Sequence, residues 1–266
     1  MVIIIGEKIN GTLAGVREAI EQRDAESITR LATSQADAGA DYIDVNVGTG
    51  TGDEAGSMEW ALEVVRNATD KPVSLDSSDP AVLMKGLELC GESRPFINSA
   101  NGELSKTECI LPLAAEYNCP IVALPMDESG IPDTPEGRLE ICHRILESAG
   151  RWGVPESDLF FDPLVIPVST EHRQGRLTLD TLSIIKSELP GVSTVLGLSN
   201  ISFGLPKRYL LNRSLLTMAV FVGLDAVLMD PTDAGLKAAL RAAEVVAGDD
   251  EFCRRYLKAY RQGELK

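Results

Sequence analysis

Short apolar segments alternate with longer amphipathic segments along the whole chain. Each apolar segment is only a few residues long and is rich in Val, Ile or Leu. Strands that are buried on both faces, as in a parallel sheet, have this near-continuous apolar character. The pattern predicts strands at Val2–Ile5, Tyr42–Val47, Pro72–Asp76, Phe96–Asn98, Ile121–Leu124, Leu159–Asp162, Thr194–Leu198 and Ala226–Met229.

The intervening segments begin and end with residues that are typical of helix termini. Asp79-Pro80 is typical of an N-cap followed by proline at the first helical position. Ser105-Lys-Thr-Glu108 matches a capping box. Thr134-Pro135 is expected to begin a helix that runs to about Trp152. Helices are expected to stop at the glycines Gly39, Gly153 and Gly223.

The alternation of strands and helices predicts an α/β fold with right-handed parallel crossovers. A faint repeat supports it, because Gly39–Asn46 resembles Gly223–Asp230 in its order of glycine, tight loop, apolar strand and polar end. Eight strand–helix units need roughly 250 residues, and the chain has 266. We therefore predict a single-domain (β/α)8 TIM barrel over residues 1–266, in which the tail from Asp249 to Lys266 forms one extra amphipathic helix.

Composition narrows the possible partners. The formal net charge is −15 and the basic residues form no cluster, which argues against binding to nucleic acid or to anionic membrane surfaces. No apolar run approaches the ~20 residues of a membrane span, and the first residues lack the features of a signal peptide. A cytoplasmic location is expected. Five scattered cysteines without a C-x-x-C motif predict reduced thiols rather than disulfides or structural zinc.

Most of the predicted strands end in Asp or Asn. Barrel active sites lie at the carboxyl ends of the strands, and a turn or helix cap explains any one such residue equally well. A whole rim of them is harder to explain by capping. Short carboxylates and amides suit a flat heterocycle such as a pterin, since one carboxylate accepts two adjacent N–H groups. The rim set is Glu7, Asn10, Asp44, Asn46, Asp76, Asn98, Met126, Asp162, Ser199, Asn200 and Asp230.

The residues that metal binding, histidine catalysis or Schiff-base chemistry would need are missing from the predicted strand ends. His143 falls within a predicted helix and His172 in the loop after the sixth strand, so neither a metal site nor a catalytic histidine is expected at a strand end. No lysine ends an apolar strand, which disfavours Schiff-base chemistry. Gly48–Ala55 contains a G-x-G-x-x-A match but is interpreted as a flexible rim loop, because its carboxylates would face a pyrophosphate. Asp127–Glu136 is predicted as a second rim loop.

Several motifs in order resemble the pterin-binding methyltransferases, and among them the methyltetrahydrofolate:corrinoid protein methyltransferases. The resemblance covers essentially the whole chain. Dihydropteroate synthase and the folate domain of cobalamin-dependent methionine synthase are more distant relatives on the same fold. The motifs are Ile5-Gly-Glu-Lys-Ile-Asn10, Ile43-Asp-Val-Asn-Val-Gly48, Ser74-Leu-Asp-Ser77, Ile97-Asn-Ser99, Phe161-Asp-Pro-Leu164 and Leu196-Gly-Leu-Ser-Asn200.

The resemblance implies a methyl transfer between N5 of tetrahydrofolate and the cobalt of a cobalamin carried by a separate corrinoid protein. It also implies a homodimer. Asp76, Asn98 and Asp162 match the family's pterin-holding residues, and Asn200 matches the residue that hydrogen-bonds near N5. Catalytic roles are thus expected for Asn200, Asp76 and Asp162, with no metal ligand in this chain. The resemblance places three further residues in the lining of the pocket, Asn46, Gly197 and Ser199.

Three alternatives stay open at the level of sequence. A dihydropteroate synthase needs a basic site for the departing pyrophosphate, and only Lys8 and Arg173 are expected to approach, from loops. A non-catalytic folate-binding barrel would keep the same binding residues. A metal-dependent aldolase barrel is disfavoured because the rim lacks His and Lys. Phe203-Gly-Leu-Pro-Lys207 departs from the acetogenic members of the family, which leaves the direction of transfer open.

Overall fold

The computed structural model describes residues 1–50, 52–91 and 93–265, and in these residues eight parallel strands close into one barrel. Each strand pairs with the next in sequence, and β8 pairs with β1. The predicted (β/α)8 barrel is confirmed. The strands are β1 (Ile3–Asn10), β2 (Tyr42–Asn46), β3 (Val73–Asp76), β4 (Phe96–Asn101), β5 (Ile121–Leu124), β6 (Leu159–Phe161), β7 (Ser193–Gly197) and β8 (Ala226–Met229).

Helices surround the barrel, and two of the three predicted helix starts are confirmed. Asp79 and Thr134 accept hydrogen bonds from the backbone N–H groups of Ala81 and Gly137 and so cap their helices. The helices are α1 (Ala14–Glu21), α2 (Ala25–Asp37), α3 (Glu54–Ala68), α4 (Pro80–Cys90), α5 (Leu104–Glu116), α6 (Pro135–Trp152), α7 (Gln174–Glu188), α8 (Arg208–Val222), α9 (Ala234–Ala247) and α10 (Arg254–Arg261).

Glycines end three of these helices in the left-handed region. Gly153 and Gly223 have φ values of +80° and +108° as the C-caps of α6 and α8. Gly39 has φ +91° just after the end of α2. A side chain at such a φ is strained, whereas glycine adopts it freely. The three predicted stops are confirmed.

The predicted capping box at Ser105–Glu108 is wrong. Helix α5 begins at Leu104, so Ser105 lies inside it, and its N-cap is Glu103. The cause lies upstream, where the Asn101 side-chain oxygen accepts the N–H of Glu103 at 3.1 Å. This local side chain–backbone turn ends β4 and sets the start of the helix two residues before the expected N1 position.

The extra C-terminal helix is shorter than predicted. It spans Arg254–Arg261 and follows a 3-10 turn at Glu251–Cys253. Asp250 accepts the N–H groups of Arg255 and Tyr256, and this cap prevents one continuous helix from Asp249 onward. Lys266, the last residue of the predicted helix, lies outside the described residues. None of the described helices is long and apolar enough to cross a membrane.

Side chains that alternate along each strand divide the core into two layers. One set packs between the sheet and the helices and includes Ile43, Val45 and Leu75. The other fills the barrel axis, where the Phe96 ring meets the rings of Tyr42 and Phe160 edge-on at 5.1 and 4.7 Å. The members of this inner cluster are Ile5, Phe96, Val122, Phe160, Val195 and Ala226. On each strand, the inward-facing residue that lies two positions after a member of this inner cluster therefore lies at the mouth of the barrel.

Candidate active site at the carboxyl ends of the strands

Three of the predicted site residues lie side by side on neighbouring strands. The sheet register pairs Asn46 with Asp76 across β2 and β3, and Asp76 with Asn98 across β3 and β4. Their side chains point inward because each lies two residues beyond an inward-facing residue of its own strand. The three side chains form a polar row because the sheet register places these strand positions next to one another.

Asn46 uses both ends of its amide within the protein. Its Nδ2 donates to Asp76 Oδ2 at 2.9 Å, and its Oδ1 accepts the N–H of Gly48 at 3.0 Å. The amide therefore fixes the orientation of the Asp76 carboxylate.

Asp44 lies beneath this row and is almost completely buried, with 2% of its surface exposed. Its Oδ1 accepts the Ser74 hydroxyl at 2.6 Å and the Asn98 Nδ2 at 3.3 Å. Because the Asn98 amide donates downward to Asp44, its oxygen is the group that it offers to a ligand as an acceptor. Sequence reasoning placed Asp44 on the rim but gave it no role, and it missed Ser74. Strand alternation is the feature that would have found both.

A second group of predicted residues lies across the mouth, at β6 and β7. Asp162 accepts the N–H groups of Leu164 at 2.8 Å and Gly197 at 3.3 Å. A Cβ atom placed on Gly197 would lie 3.4 Å from Asn200 Nδ2 and 3.6 Å from Asp162 Oδ2. The Asp162 carboxylate and the Asn200 amide thus both lie next to Gly197.

Arg138 holds the segment that follows β6. It is the largest fully buried side chain among the described residues. Its guanidinium donates to the carbonyl oxygens of Pro132, Pro163 and Leu164 at 2.9, 2.5 and 3.0 Å. These bonds fix the backbone beside Asp162. No feature of the sequence distinguishes this arginine from the exposed arginines on other helices.

A third group joins β7 to β1 and β8. The Ser199 hydroxyl donates to Glu7 Oε1 at 2.6 Å, and Arg208 donates to the Ser199 carbonyl at 2.6 Å. Lys8 Nζ contacts Asp230 Oδ2 at 2.8 Å. A cavity of about 530 Å³ opens here; its lining includes all five of these residues and Asn200. Sequence reasoning missed Arg208, which lies on a helix.

A family model described as pterin binding enzyme matches residues 7–230. The chain belongs to this family. A methylcorrinoid:tetrahydrofolate methyltransferase of Eubacterium limosum is 38% identical over 265 residues, which are 99% of this chain and 97% of that protein. The methionine synthase of Mycobacterium tuberculosis is 34% identical over 241 residues, which are 86% of this chain but only 20% of the synthase.

Two solved structures of dihydropteroate synthases share the fold. The enzyme of Yersinia pestis superposes with a TM-score of 0.65 and 16% identity, over 93% of each chain. The enzyme of Coxiella burnetii in complex with pteroic acid gives a TM-score of 0.67 and 14% identity, over 92% of each chain. At these identities the likeness shows the barrel architecture and nothing about the reaction.

Burial governs the acidity of the carboxyl groups in this pterin binding enzyme. It raises the pKa of Asp76 to about 6, with a further contribution from the Glu54 carboxylate. It also raises the pKa of Asp162 to about 6, against the lowering effect of the hydrogen bonds from Leu164 and Gly197. The pKa of Asp44 lies well above its usual value because of burial and the nearby Asp76. Such a site favours a ligand that brings N–H donors.

Asp44→Asn is expected to stabilise the folded protein by about 1 kcal/mol or more at pH 7.5. A raised pKa means that the folded wild type binds more protons than the unfolded chain, so its stability falls as pH rises above about 4. Asparagine keeps the acceptor for Ser74 and Asn98 but carries no charge. Urea unfolding at pH 5 and pH 7.5 measures the effect, and the gain should be larger at pH 7.5.

Asp44→Ala is the matched control, because it removes the acceptor as well as the charge. It should destabilise the protein, since the Ser74 hydroxyl and the Asn98 amide lose a buried partner. A gain from Asp44→Asn that is the same at both pH values would contradict the raised pKa.

The remaining predicted features lie outside the three groups of residues described above or differ from expectation. Lys8 belongs to β1, which continues well past its predicted end at Ile5, so it is a strand residue rather than a loop residue. The predicted rim loop Gly48–Ala55 includes Thr51, which lies outside the described residues; within it Asp53 caps α3, and Glu54 accepts the Ser77 hydroxyl at 2.7 Å. Within the described residues, no group of three or more His, Cys, Asp or Glu is placed to hold a metal ion.

Proposed function

We propose that this enzyme moves a methyl group between the cobalt of a corrinoid, carried by a separate protein, and N5 of tetrahydrofolate. The observation that carries the proposal is the placement of Asp162 and Asn200 next to Gly197, across the mouth from Asp76 and Asn98. An eight-stranded barrel has an interior just wide enough for side chains. A flat pterin at this mouth therefore reaches both groups at once.

The pterin-holding roles follow from what each side chain offers. Asp162 and Asp76 accept adjacent N–H groups of the ring, and such charge-assisted hydrogen bonds are strong. Asn98 accepts through its oxygen, because its nitrogen already donates to Asp44. Asn46 acts through Asp76 as a positioning residue, and Gly197 and Ser199 line the pocket.

Asn200 is assigned to N5 because it is the exposed amide beside Asp162. An amide does not release its proton at useful pH, so Asn200 acts as a hydrogen-bond donor that strengthens as charge shifts at N5. The methyl carbon and N5 must also be held in line, which is a positioning task.

The direction we propose is from methylcorrinoid to tetrahydrofolate. It rests on the near full-length relative from Eubacterium limosum, whose name states that order. In this direction the N5 lone pair attacks the methyl carbon, the electron pair of the cobalt–carbon bond stays on cobalt as Co(I), and N5 loses its proton. A homodimer and a cytoplasmic location stay predictions.

A dihydropteroate synthase would need cations placed for a departing pyrophosphate. Lys8 is at the mouth, but its ammonium is paired with Asp230 at 2.8 Å. Arg173 pairs with Glu171 at 3.3 Å on the exposed loop after β6. Both pairings favour the methyltransferase over this alternative.

Anaerobic incubation with tetrahydrofolate and methylcobalamin, used in place of the methylated partner protein, tests the function. We expect 5-methyltetrahydrofolate to form, measured by chromatography, together with the absorbance of Co(I) cobalamin. A parallel arm supplies a pterin pyrophosphate and p-aminobenzoate. Dihydropteroate formed in that arm, or tight folate binding without any methyl transfer, would contradict the proposal.

A further inference from the structure

Glu7 is a carboxyl group at the mouth that the pterin-holding set leaves unused. It lies on β1 two residues after Ile5, a member of the inner cluster, and so faces inward. It lines the same cavity as Asn200, with Ser199 between β1 and β7. The Ser199 hydroxyl donates to its Oε1 at 2.6 Å. That bond leaves Oε2 as a further acceptor for a ligand.

We propose that Glu7 is the acid–base group that exchanges a proton with N5 of the folate. The inference rests on the proposed function, and it supplies the proton acceptor that Asn200 cannot provide. When N5 of tetrahydrofolate takes the methyl group, the N5–CH3 bond forms and the cobalt–carbon electron pair stays on cobalt. The N5 proton then passes to the Glu7 carboxylate. In the reverse reaction the Glu7 carboxylic acid returns that proton to N5 as the carbon–nitrogen bond breaks.

The surroundings of Glu7 suit a group that changes its protonation state during the reaction. The hydrogen-bond partner of Glu7 is a neutral hydroxyl rather than a cation, so the bond does not tie Glu7 to its charged form through an ion pair. Lys8 on the same strand is engaged by Asp230 instead. Arg208 donates to the Ser199 carbonyl and the Ser202 hydroxyl.

The charged groups that face Glu7 act in opposite directions on its pKa. Burial raises the pKa of Glu7, the Ser199 hydrogen bond lowers it, and the Asp230 carboxylate raises it. Arg208 and Lys8 lower it by smaller amounts. A base whose pKa lies closer to the working pH transfers protons more effectively than one that is fully ionised far below it.

Glu7→Gln is the primary test, because glutamine keeps the shape and the acceptor for Ser199 but exchanges no proton. Single-turnover methylation of tetrahydrofolate by methylcobalamin, at saturating folate, should slow by about a hundredfold. Folate affinity, measured by calorimetry, should stay within about threefold because the anchoring carboxylates are unchanged. The wild-type rate should rise with pH to a plateau. This rising limb of the pH–rate profile should disappear in Glu7→Gln.

Substitutions at two residues next to Glu7 should shift the rising limb of the pH–rate profile in opposite directions. Ser199→Ala removes a hydrogen bond that lowers the pKa of Glu7, so the limb should shift to higher pH. Asp230→Asn removes a carboxylate that raises this pKa, so the limb should shift to lower pH. A residue with only a structural role would lower the rate without these opposed shifts, and the pair serves as the test if Glu7→Gln does not fold.

The outcomes separate this proposal from the function on which it rests. A wild-type protein that transfers no methyl group overturns the proposed function. An active wild type, together with a Glu7→Gln variant that keeps the wild-type rate and pH limb, overturns the role of Glu7 alone. Opposed limb shifts in Ser199→Ala and Asp230→Asn support it; shifts in the same direction, or none, overturn it.

Discussion

Asn200→Ala is expected to slow methyl transfer by about a hundredfold or more. A donor aimed at charge that develops in the transition state contributes about 2–4 kcal/mol, and about 1.4 kcal/mol corresponds to a tenfold change in rate. Folate binding should change little, because Asp76, Asn98 and Asp162 still hold the ring. The loss should therefore appear in the single-turnover rate at saturating folate, with methylcobalamin as the methyl donor.

Asn212→Ala provides a matched control for this variant. Asn212 lies on α8 and lines the same cavity as Asn200, so the two substitutions remove the same atoms from one region. Asn212 has no proposed contact with N5. Its variant should therefore transfer methyl groups at a rate within about threefold of the wild type, because only a donor aimed at the reacting centre carries the large effect. An Asn200→Ala variant with the same turnover as Asn212→Ala would rule out the proposed donor.

Asp162→Asn is expected to weaken folate binding by about ten- to a hundredfold. Hydrogen bonds to a charged group contribute about 1.5–3 kcal/mol each, and the amide replaces an acceptor oxygen by a donor. That donor would also meet the N–H of Leu164 or Gly197, which the wild-type carboxylate accepts at 2.8 and 3.3 Å. Isothermal calorimetry with tetrahydrofolate measures the change.

The pH dependence of binding separates a charge effect from a change in shape. The pKa of Asp162 is raised to about 6, so its acceptor form is lost as the pH falls below this value. Wild-type affinity should therefore weaken between pH 6.5 and 5, and more steeply than that of Asp162→Asn, in which Asp76 still titrates but residue 162 does not. Asp180→Asn, on the exposed surface of α7, controls for the loss of one negative charge. Undiminished affinity in Asp162→Asn would remove Asp162 from the pterin site.

The architecture and the position of the candidate site followed from the sequence because both depend on the local order of apolar runs, helical segments and the residues between them. Apolar runs of a few residues predicted every strand, and the common direction of parallel barrel strands placed the residues after each run at one rim. Asp79 and Thr134 were also correctly assigned, since an N-cap acts on amides two or three residues away. The prediction of Ser105 as an N-cap was wrong, because the Asn101 side chain, which is equally local, accepts the Glu103 N–H and the helix begins earlier.

The contacts that give the site its chemistry depended on the tertiary structure. Glu7 and Ser199 are 192 residues apart and meet only because the barrel closes β7, β8 and β1 into neighbours. Asp44 holds Asn98 through a register that no single strand encodes. Burial, which raises the pKa of Asp76 and Asp162, is likewise a property of the closed barrel. The sequence thus determined which side chains reach the mouth, whereas strand pairing decided which of them touch, because desolvation and hydrogen bonding depend on distances through space.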